Sequence, residues 1–74
     1  MKVFNNEKLK KLRLEKGLSS RRFSFELYKD QGKGIASQTL DKWENGKTVP
    51  NFNNAILIAD YFGLQIQDFI KETK

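Results

Sequence analysis

The side chains that most often carry out catalysis are missing from this sequence. Its 74 residues include no cysteine and no histidine, so thiolate and imidazole groups are excluded as nucleophiles, bases and metal ligands. A catalytic site would have to use carboxylates, lysines or hydroxyl groups, and no cluster of acidic residues stands out along the chain. We therefore expect no enzymatic activity, no metal site, no cofactor and no disulfide bond.

The chemistry that the sequence does offer is the binding of anions. Fourteen lysine and arginine residues against nine acidic residues give a net charge of +5. The excess is uneven, because residues 1–50 hold 12 basic and 6 acidic side chains, whereas residues 51–74 hold 2 and 3. A basic portion beside a nearly neutral one is typical of a surface that binds a polyanion. A basic surface that only improves solubility would show the same pattern.

Length and hydropathy limit the number of domains and the cellular location that we expect. A chain of 74 residues has room for one domain with a small core, and no room for a separate ligand-sensing or catalytic domain. No apolar stretch approaches the roughly 20 residues that span a bilayer, and the N-terminal residues lack the apolar run of a signal peptide. We expect a single domain over residues 1–74, in the cytoplasm and not in a membrane.

Apolar residues at helical spacing, with polar residues that can cap helix ends, predict five helices. The expected helices cover about residues 6–16, 20–30, 37–44, 52–62 and 66–70. In the third helix, Leu40 and Trp43 face inward, and Ile35 is a buried anchor just before it. Because few β-forming residues alternate with polar ones, we predict an all-α fold, in which the last residues, Lys71 to Lys74, fray.

The order of these helices and of the short motifs between them resembles a known family. The resemblance starts at Leu9-Lys10-Lys11-Leu12-Arg13 and Lys16-Gly17-Leu18-Ser19, is strongest in Thr39-Leu40-Asp41-Lys42-Trp43-Glu44-Asn45-Gly46-Lys47, and continues to Gly63-Leu64. These residues are similar to those of the phage repressor/Cro superfamily, or XRE-type helix-turn-helix proteins, over about residues 7–70. The resemblance implies a five-helix domain whose second and third helices form a helix-turn-helix.

The same resemblance implies a sequence-specific protein that binds double-stranded DNA and regulates transcription, as a repressor in a bacterium or a mobile element. The helix 37–44 corresponds to the recognition helix, which enters the major groove. The resemblance places Ser37, Gln38 and Lys42 at base edges, and Thr39 at the backbone or a thymine methyl group. Each could also be an ordinary exposed residue. A helix capped by Ser37 instead of Ala36 would shift the set by one position.

Other residues are candidates for contact with phosphates, Ser20, Asn45 and Lys47 from the resemblance and Arg21 and Lys33 from their basic side chains where the sequence departs from the family. They lie at the start of the second helix, in the turn before the recognition helix and in the turn after it, where backbone N–H groups and basic side chains can bind phosphate oxygens. The residues are Ser20, Arg21, Lys33, Asn45 and Lys47. The turn before the recognition helix is about six residues longer than is usual in the family. We expect the second helix to extend by about a turn and the lysines Lys29 and Lys33 to add contacts with the DNA backbone.

Two further sets of residues have structural or partner roles. Arg13 and Glu44 stand where several relatives have an ion pair that ties the first helix to the end of the recognition helix. Leu57 and Tyr61 do not belong clearly to the predicted core, and together with Leu64 they form a candidate homodimer surface, although scattered exposed apolar residues are common. The same face suits an alternative function, a protein-interaction module such as an antitoxin that binds a toxin, because fold does not determine function.

Overall fold

The computed structural model describes residues 1–73, which form four α-helices, one 3₁₀-helix and a two-stranded sheet. The α-helices are α1 (Asn6–Glu15), α2 (Ser20–Gln31), α3 (Ser37–Glu44) and α4 (Phe52–Tyr61). The 3₁₀-helix covers Ile66–Phe69, and the strands are β1 (Lys2–Phe4) and β2 (Ile70–Glu72). The strands pair in antiparallel register, with Val3 opposite Lys71. Within residues 1–73, no helix is both long and apolar enough to cross a membrane.

Polar caps account for the places where three of the α-helices begin. The side chains of Asn5, Ser19 and Asn51 each accept a hydrogen bond from the backbone N–H three residues later, at 3.1, 3.1 and 2.8 Å. α2 ends at Gly32, whose φ of 72° is the left-handed conformation that favours glycine. The N–H of Gly32 donates to the carbonyl of Tyr28 at 2.8 Å. These signals are local, so the four α-helices lie close to their predicted bounds.

The segment predicted as a fifth helix has a different structure. Only a single 3₁₀ turn forms, and the N–H of Gln65 donates to the carboxylate of Asp68 at 2.9 Å to hold its start. Ile70 then adopts an extended conformation because it pairs with Phe4 in the sheet. The five-helix and all-α predictions are therefore wrong in this segment. The domain has four α-helices with a small sheet that joins its two ends.

The predicted fraying of Lys71 to Lys74 is wrong for residues 71–73. The ammonium group of Lys71 donates to the carboxylate of Glu7 on α1 at 2.7 Å, and the N–H of Thr73 donates to the carbonyl of Met1 at 2.7 Å. The hydrogen bond and the charge of Lys71 lower the pKa of Glu7. Lys74 lies outside the described residues.

The core lies where the helices meet, and the sheet covers one side of it. Its completely buried large side chains come from all four α-helices and the 3₁₀-helix: Leu9, Phe23, Leu27, Leu40, Ile58 and Phe69. The ring of Phe4 on β1 stacks on that of Phe69, with centroids 5.7 Å apart and planes 5° apart. Pairing of the chain termini therefore completes the core.

The candidate dimer residues Leu57, Tyr61 and Leu64 are half-buried and pack against this core. The rings of Tyr61 and Phe23 lie 5.7 Å apart. Burial raises the pKa of Tyr61 because it penalises the phenolate. Packing within the domain therefore accounts for the apolar character of these three positions without a partner.

Candidate nucleic-acid interface

α3 divides its side chains between the core and solvent. Leu40 and Trp43 are buried, whereas Gln38, Lys42 and Asn45 are exposed. Residues spaced i, i+4 and i+7 lie along one face of a helix, so these three side chains form one polar row, which we call the outward stripe of α3. An amide, an ammonium group and a second amide on one row can bond base edges or phosphate oxygens.

The start of α3 determines which other residues border this stripe. Ala36 occupies the N-cap position, Ser37 is the first helical residue, and no side chain caps the helix. Ser37 and Thr39 are half-buried, and each lies about 100° around the helix from Gln38. The four residues predicted to contact bases therefore separate into two groups. Gln38 and Lys42 share the outward stripe, and Ser37 and Thr39 flank it.

The end of α3 is tied to the start of α1 through Asn6. Its side-chain amide donates to the backbone carbonyl of Glu44 at 3.0 Å. The chain then turns at Gly46, which has a φ of 75°, and the N–H of Lys47 donates to the carbonyl of Lys42 at 2.9 Å. Asn45 and Lys47, predicted to contact phosphate, are both exposed in this turn. Asn6 is not among the residues given a role from the sequence, because its link to α3 joins residues 38 positions apart.

A buried ion pair joins α1 to α3 at the same end. The Nε of Arg13 donates to Glu44 Oε2 at 2.7 Å, and Nη2 donates to Oε1 at 2.9 Å. The third nitrogen, Nη1, donates to the carbonyl of Leu18 at 2.6 Å. The hydrogen bond to Glu44 raises the pKa of Arg13, although burial opposes the increase. This two-bond geometry holds α3 in a fixed orientation on α1.

α2 contacts α3 near its own N-terminus. The hydroxyl of Ser20 donates to Oδ1 of Asp41 on α3. A hydroxyl has one proton, so a hydrogen bond from Ser20 to phosphate requires the bond to Asp41 to break. Arg21 is exposed in the first turn of α2. Asp41 is not among the residues predicted from the sequence to contact DNA, although it stands three residues after Gln38 and so lies near it on α3.

The long turn between α2 and α3 is anchored at its far end. Ile35 is buried, and its carbonyl accepts a hydrogen bond from the hydroxyl of Ser24 on α2. Lys29 is exposed in the last turn of α2, and Lys33 is exposed in the loop. α2 extends to Gln31, as expected for a lengthened second helix followed by a loop.

Among residues 1–73, no group of three or more acidic, histidine or cysteine residues is arranged to hold a metal ion.

Comparison with known proteins identifies the family. Residues 9–69 match the model of a family described as helix-turn-helix. The chain belongs to the XRE-type helix-turn-helix family. It is 31% identical over 65 residues to the HTH-type transcriptional activator BcrR of Enterococcus faecalis. The matched region is 88% of this chain but 29% of BcrR, so this chain spans less than a third of that relative. No solved structure shows a significant match.

Proposed function

We propose that this protein binds double-stranded DNA at specific sequences and regulates transcription, with α3 in the major groove. The observation that carries the proposal is the division of α3 in a member of the helix-turn-helix family. Leu40 and Trp43 attach one side of the helix to the core, which leaves Gln38 and Lys42 exposed on the other. An α-helix fits the major groove of B-DNA, where each base pair presents its own pattern of donors and acceptors.

The chemistry of the exposed groups suggests a role for each. The side-chain amide of Gln38 can donate to N7 and accept from N6 of adenine, and the ammonium group of Lys42 can donate to O6 or N7 of guanine or to a phosphate. At the borders of the stripe, the hydroxyl group of Ser37 suits a single hydrogen bond to a base, and the methyl group of Thr39 suits an apolar contact with the methyl group of thymine. The Arg13–Glu44 ion pair and the Asn6 hydrogen bond limit how far α3 can shift on the domain.

Basic groups around α3 supply the sequence-independent part of the affinity. Arg21, Lys33 and Lys47 are all exposed, and each phosphate that they neutralise releases counterions. Binding should weaken with salt, with a slope of about −0.9 for each contacted phosphate on a plot of log K against log salt concentration. These contacts set the position of the protein on the duplex, and the outward stripe of α3 supplies the specificity.

Selection of bound sequences from random duplex DNA tests this proposal. We expect the wild-type chain to enrich one motif, and the double variant Gln38→Ala, Lys42→Ala to lose that enrichment while still binding DNA weakly. Gln67→Ala is a matched control, because Gln67 is exposed on the 3₁₀-helix and its loss should leave the motif unchanged. Sequence-specific binding would be disproved if the wild type enriched nothing beyond the double variant.

The form of the enriched motif tests a further part of the proposal, that two copies bind together. A dimer would select two inverted half-sites about one DNA turn, roughly 34 Å, apart, whereas a monomer would select one half-site. The proposed contact between copies uses the exposed parts of Leu57, Tyr61 and Leu64. Selection of isolated half-sites by the wild type would exclude this arrangement.

We also propose that the bound protein represses transcription. Occupancy of a site that overlaps a promoter is enough to block it, whereas activation requires a further contact with the transcription machinery. The similar protein from Enterococcus faecalis is named an activator, so a direct measurement must distinguish repression from activation. A reporter gene under a promoter that contains the selected site should fall in expression when the protein is supplied, and a rise would show activation instead.

A further inference from the structure

An acidic side chain lies on the surface that we propose to face DNA. Asp41 is exposed and stands three residues after Gln38 and four before Asn45, so it lies beside the outward stripe of α3. A carboxylate there would be repelled by phosphates and would oppose binding unless a hydrogen-bond donor on the DNA offset the repulsion. The ion pairs of the described residues do not include Asp41, and Arg13, whose charge acts on Asp41, is paired with Glu44.

One oxygen of this carboxylate is held in place, and the other is available. Oδ1 accepts the hydroxyl proton of Ser20, which reaches it from the first residue of α2. No hydrogen bond to Oδ2 occurs within residues 1–73. The contact with Ser20 restricts the side-chain rotamer of Asp41, so the carboxylate is oriented before DNA arrives.

We propose that Asp41 is a specificity-determining residue that accepts a hydrogen bond from the exocyclic amine of a cytosine in the major groove. The inference rests on the proposed function, because it requires α3 to lie in that groove. An ionised carboxylate only accepts hydrogen bonds. Cytosine presents its N4 donor in the major groove, whereas guanine presents two acceptors and thymine presents the O4 acceptor with a methyl group.

Adenine is a weaker match than cytosine for the same carboxylate. Its N6 amine is a donor, but the neighbouring N7 is an acceptor and would repel a second carboxylate oxygen. Asparagine differs, because its amide has one donor and one acceptor and pairs with both N6 and N7 of adenine. Asp41→Asn therefore nearly preserves the size of the side chain while it changes the base that the side chain should prefer. Ser20 acts as a positioning residue that does not touch the base.

The test compares the sequences that each variant selects from random duplex DNA. The wild type should require cytosine at one position of its motif, with discrimination of about tenfold against other bases, as is typical of a specific base contact. Asp41→Asn should change the preferred base there to adenine, and Asp41→Ala should show no preference at that position. Ser20→Ala should keep cytosine but weaken its selection by about threefold, as expected for loss of orientation only.

The matched control is Asp60→Asn, which removes an exposed acidic charge from α4. Asp41→Asn and Asp60→Asn both raise the net charge by one, so they separate base recognition from simple charge repulsion. The inference is overturned if both variants bind all sequences more tightly and leave the selected motif unchanged. Circular dichroism of each variant shows that it is folded, and the nearly isosteric Asp41→Asn supplies the test if Asp41→Ala does not fold.

The experiment also separates this inference from the proposed function. If the wild type selects a motif that neither Asp41 variant alters, α3 binds DNA and Asp41 does not read a base. If the wild type selects no motif, the proposal of sequence-specific binding is disproved, and the role of Asp41 is disproved with it.

Discussion

Removal of one partner from the Arg13–Glu44 ion pair should destabilise the whole domain. Arg13 is 8% exposed and Glu44 is 6% exposed, so Glu44→Ala leaves a guanidinium group buried without its carboxylate. The carbonyl of Leu18 would remain as an acceptor for one nitrogen. A stranded buried charge of this kind costs about 3–5 kcal/mol. A domain of 74 residues has an unfolding free energy of about 4–11 kcal/mol, so the variant should lose a large part of its stability.

Urea denaturation followed by circular dichroism and by fluorescence measures this loss. Trp43 is the sole tryptophan and is 4% exposed, so its emission reports the packing of α3. Glu44→Ala should also lower the Tm by at least about 12 °C, since 1 kcal/mol corresponds to roughly 4–8 °C in a domain of this size. The double variant Arg13→Met, Glu44→Leu should recover most of the stability, because apolar side chains can replace a buried ion pair.

A more exposed ion pair on α2 provides the matched control. Arg22 Nη2 lies 2.9 Å from Glu26 Oε1, and the two side chains are 59% and 22% exposed. Glu26→Ala should change the free energy of unfolding by about 0.5 kcal/mol or less. A dominant effect of burial would be excluded if Glu44→Ala lowered the free energy of unfolding no more than Glu26→Ala, or if the double variant were as unstable as Glu44→Ala alone.

Two further predictions concern the long turn and the core. The double variant Lys29→Ala, Lys33→Ala should reduce the slope of log K against log salt concentration by as much as about 1.8. An unchanged slope would show that neither lysine contacts a DNA phosphate. Since the pKa of Tyr61 is raised by burial, the unfolded chain ionises first, so stability falls as pH rises above about 10. Tyr61→Phe should lose less stability between neutral and alkaline pH in urea denaturation than the matched control Tyr28→Phe, and equal losses would contradict the prediction.

Local residue patterns were enough to predict the helix-turn-helix and the helix that follows it. The cap residues Ser19 and Asn51 and the terminating Gly32 act on backbone groups within a few positions of themselves. The inward assignment of Leu40 and Trp43 follows from helical spacing and agrees with their burial. The motif from Thr39 to Lys47 was specific enough to indicate the family, which the match over residues 9–69 confirms.

The C-terminal segment shows where local patterns were not sufficient. Ile66, Phe69 and Ile70 have the spacing of a short helix, but a two-stranded sheet competes for Ile70. Phe4 supplies both the pairing partner of Ile70 and a ring that stacks on Phe69. These contacts join residues more than 60 positions apart in the sequence, so no window along the chain could show that the extended conformation is favoured.

On the candidate DNA-binding surface, the shared orientation of Gln38 and Lys42 could be predicted from the sequence, because helical periodicity alone puts them on one side of α3. Only the packing of the helices shows which neighbouring side chains are bound to other parts of the protein. Whether Ser20 is free for a phosphate or bound to Asp41 depends on how α2 crosses α3, and the orientation of α3 depends on the contacts of Glu44 with Asn6 and Arg13. Side-chain hydrogen bonds reach only about 3 Å, so such partners become known only when packing brings distant segments together.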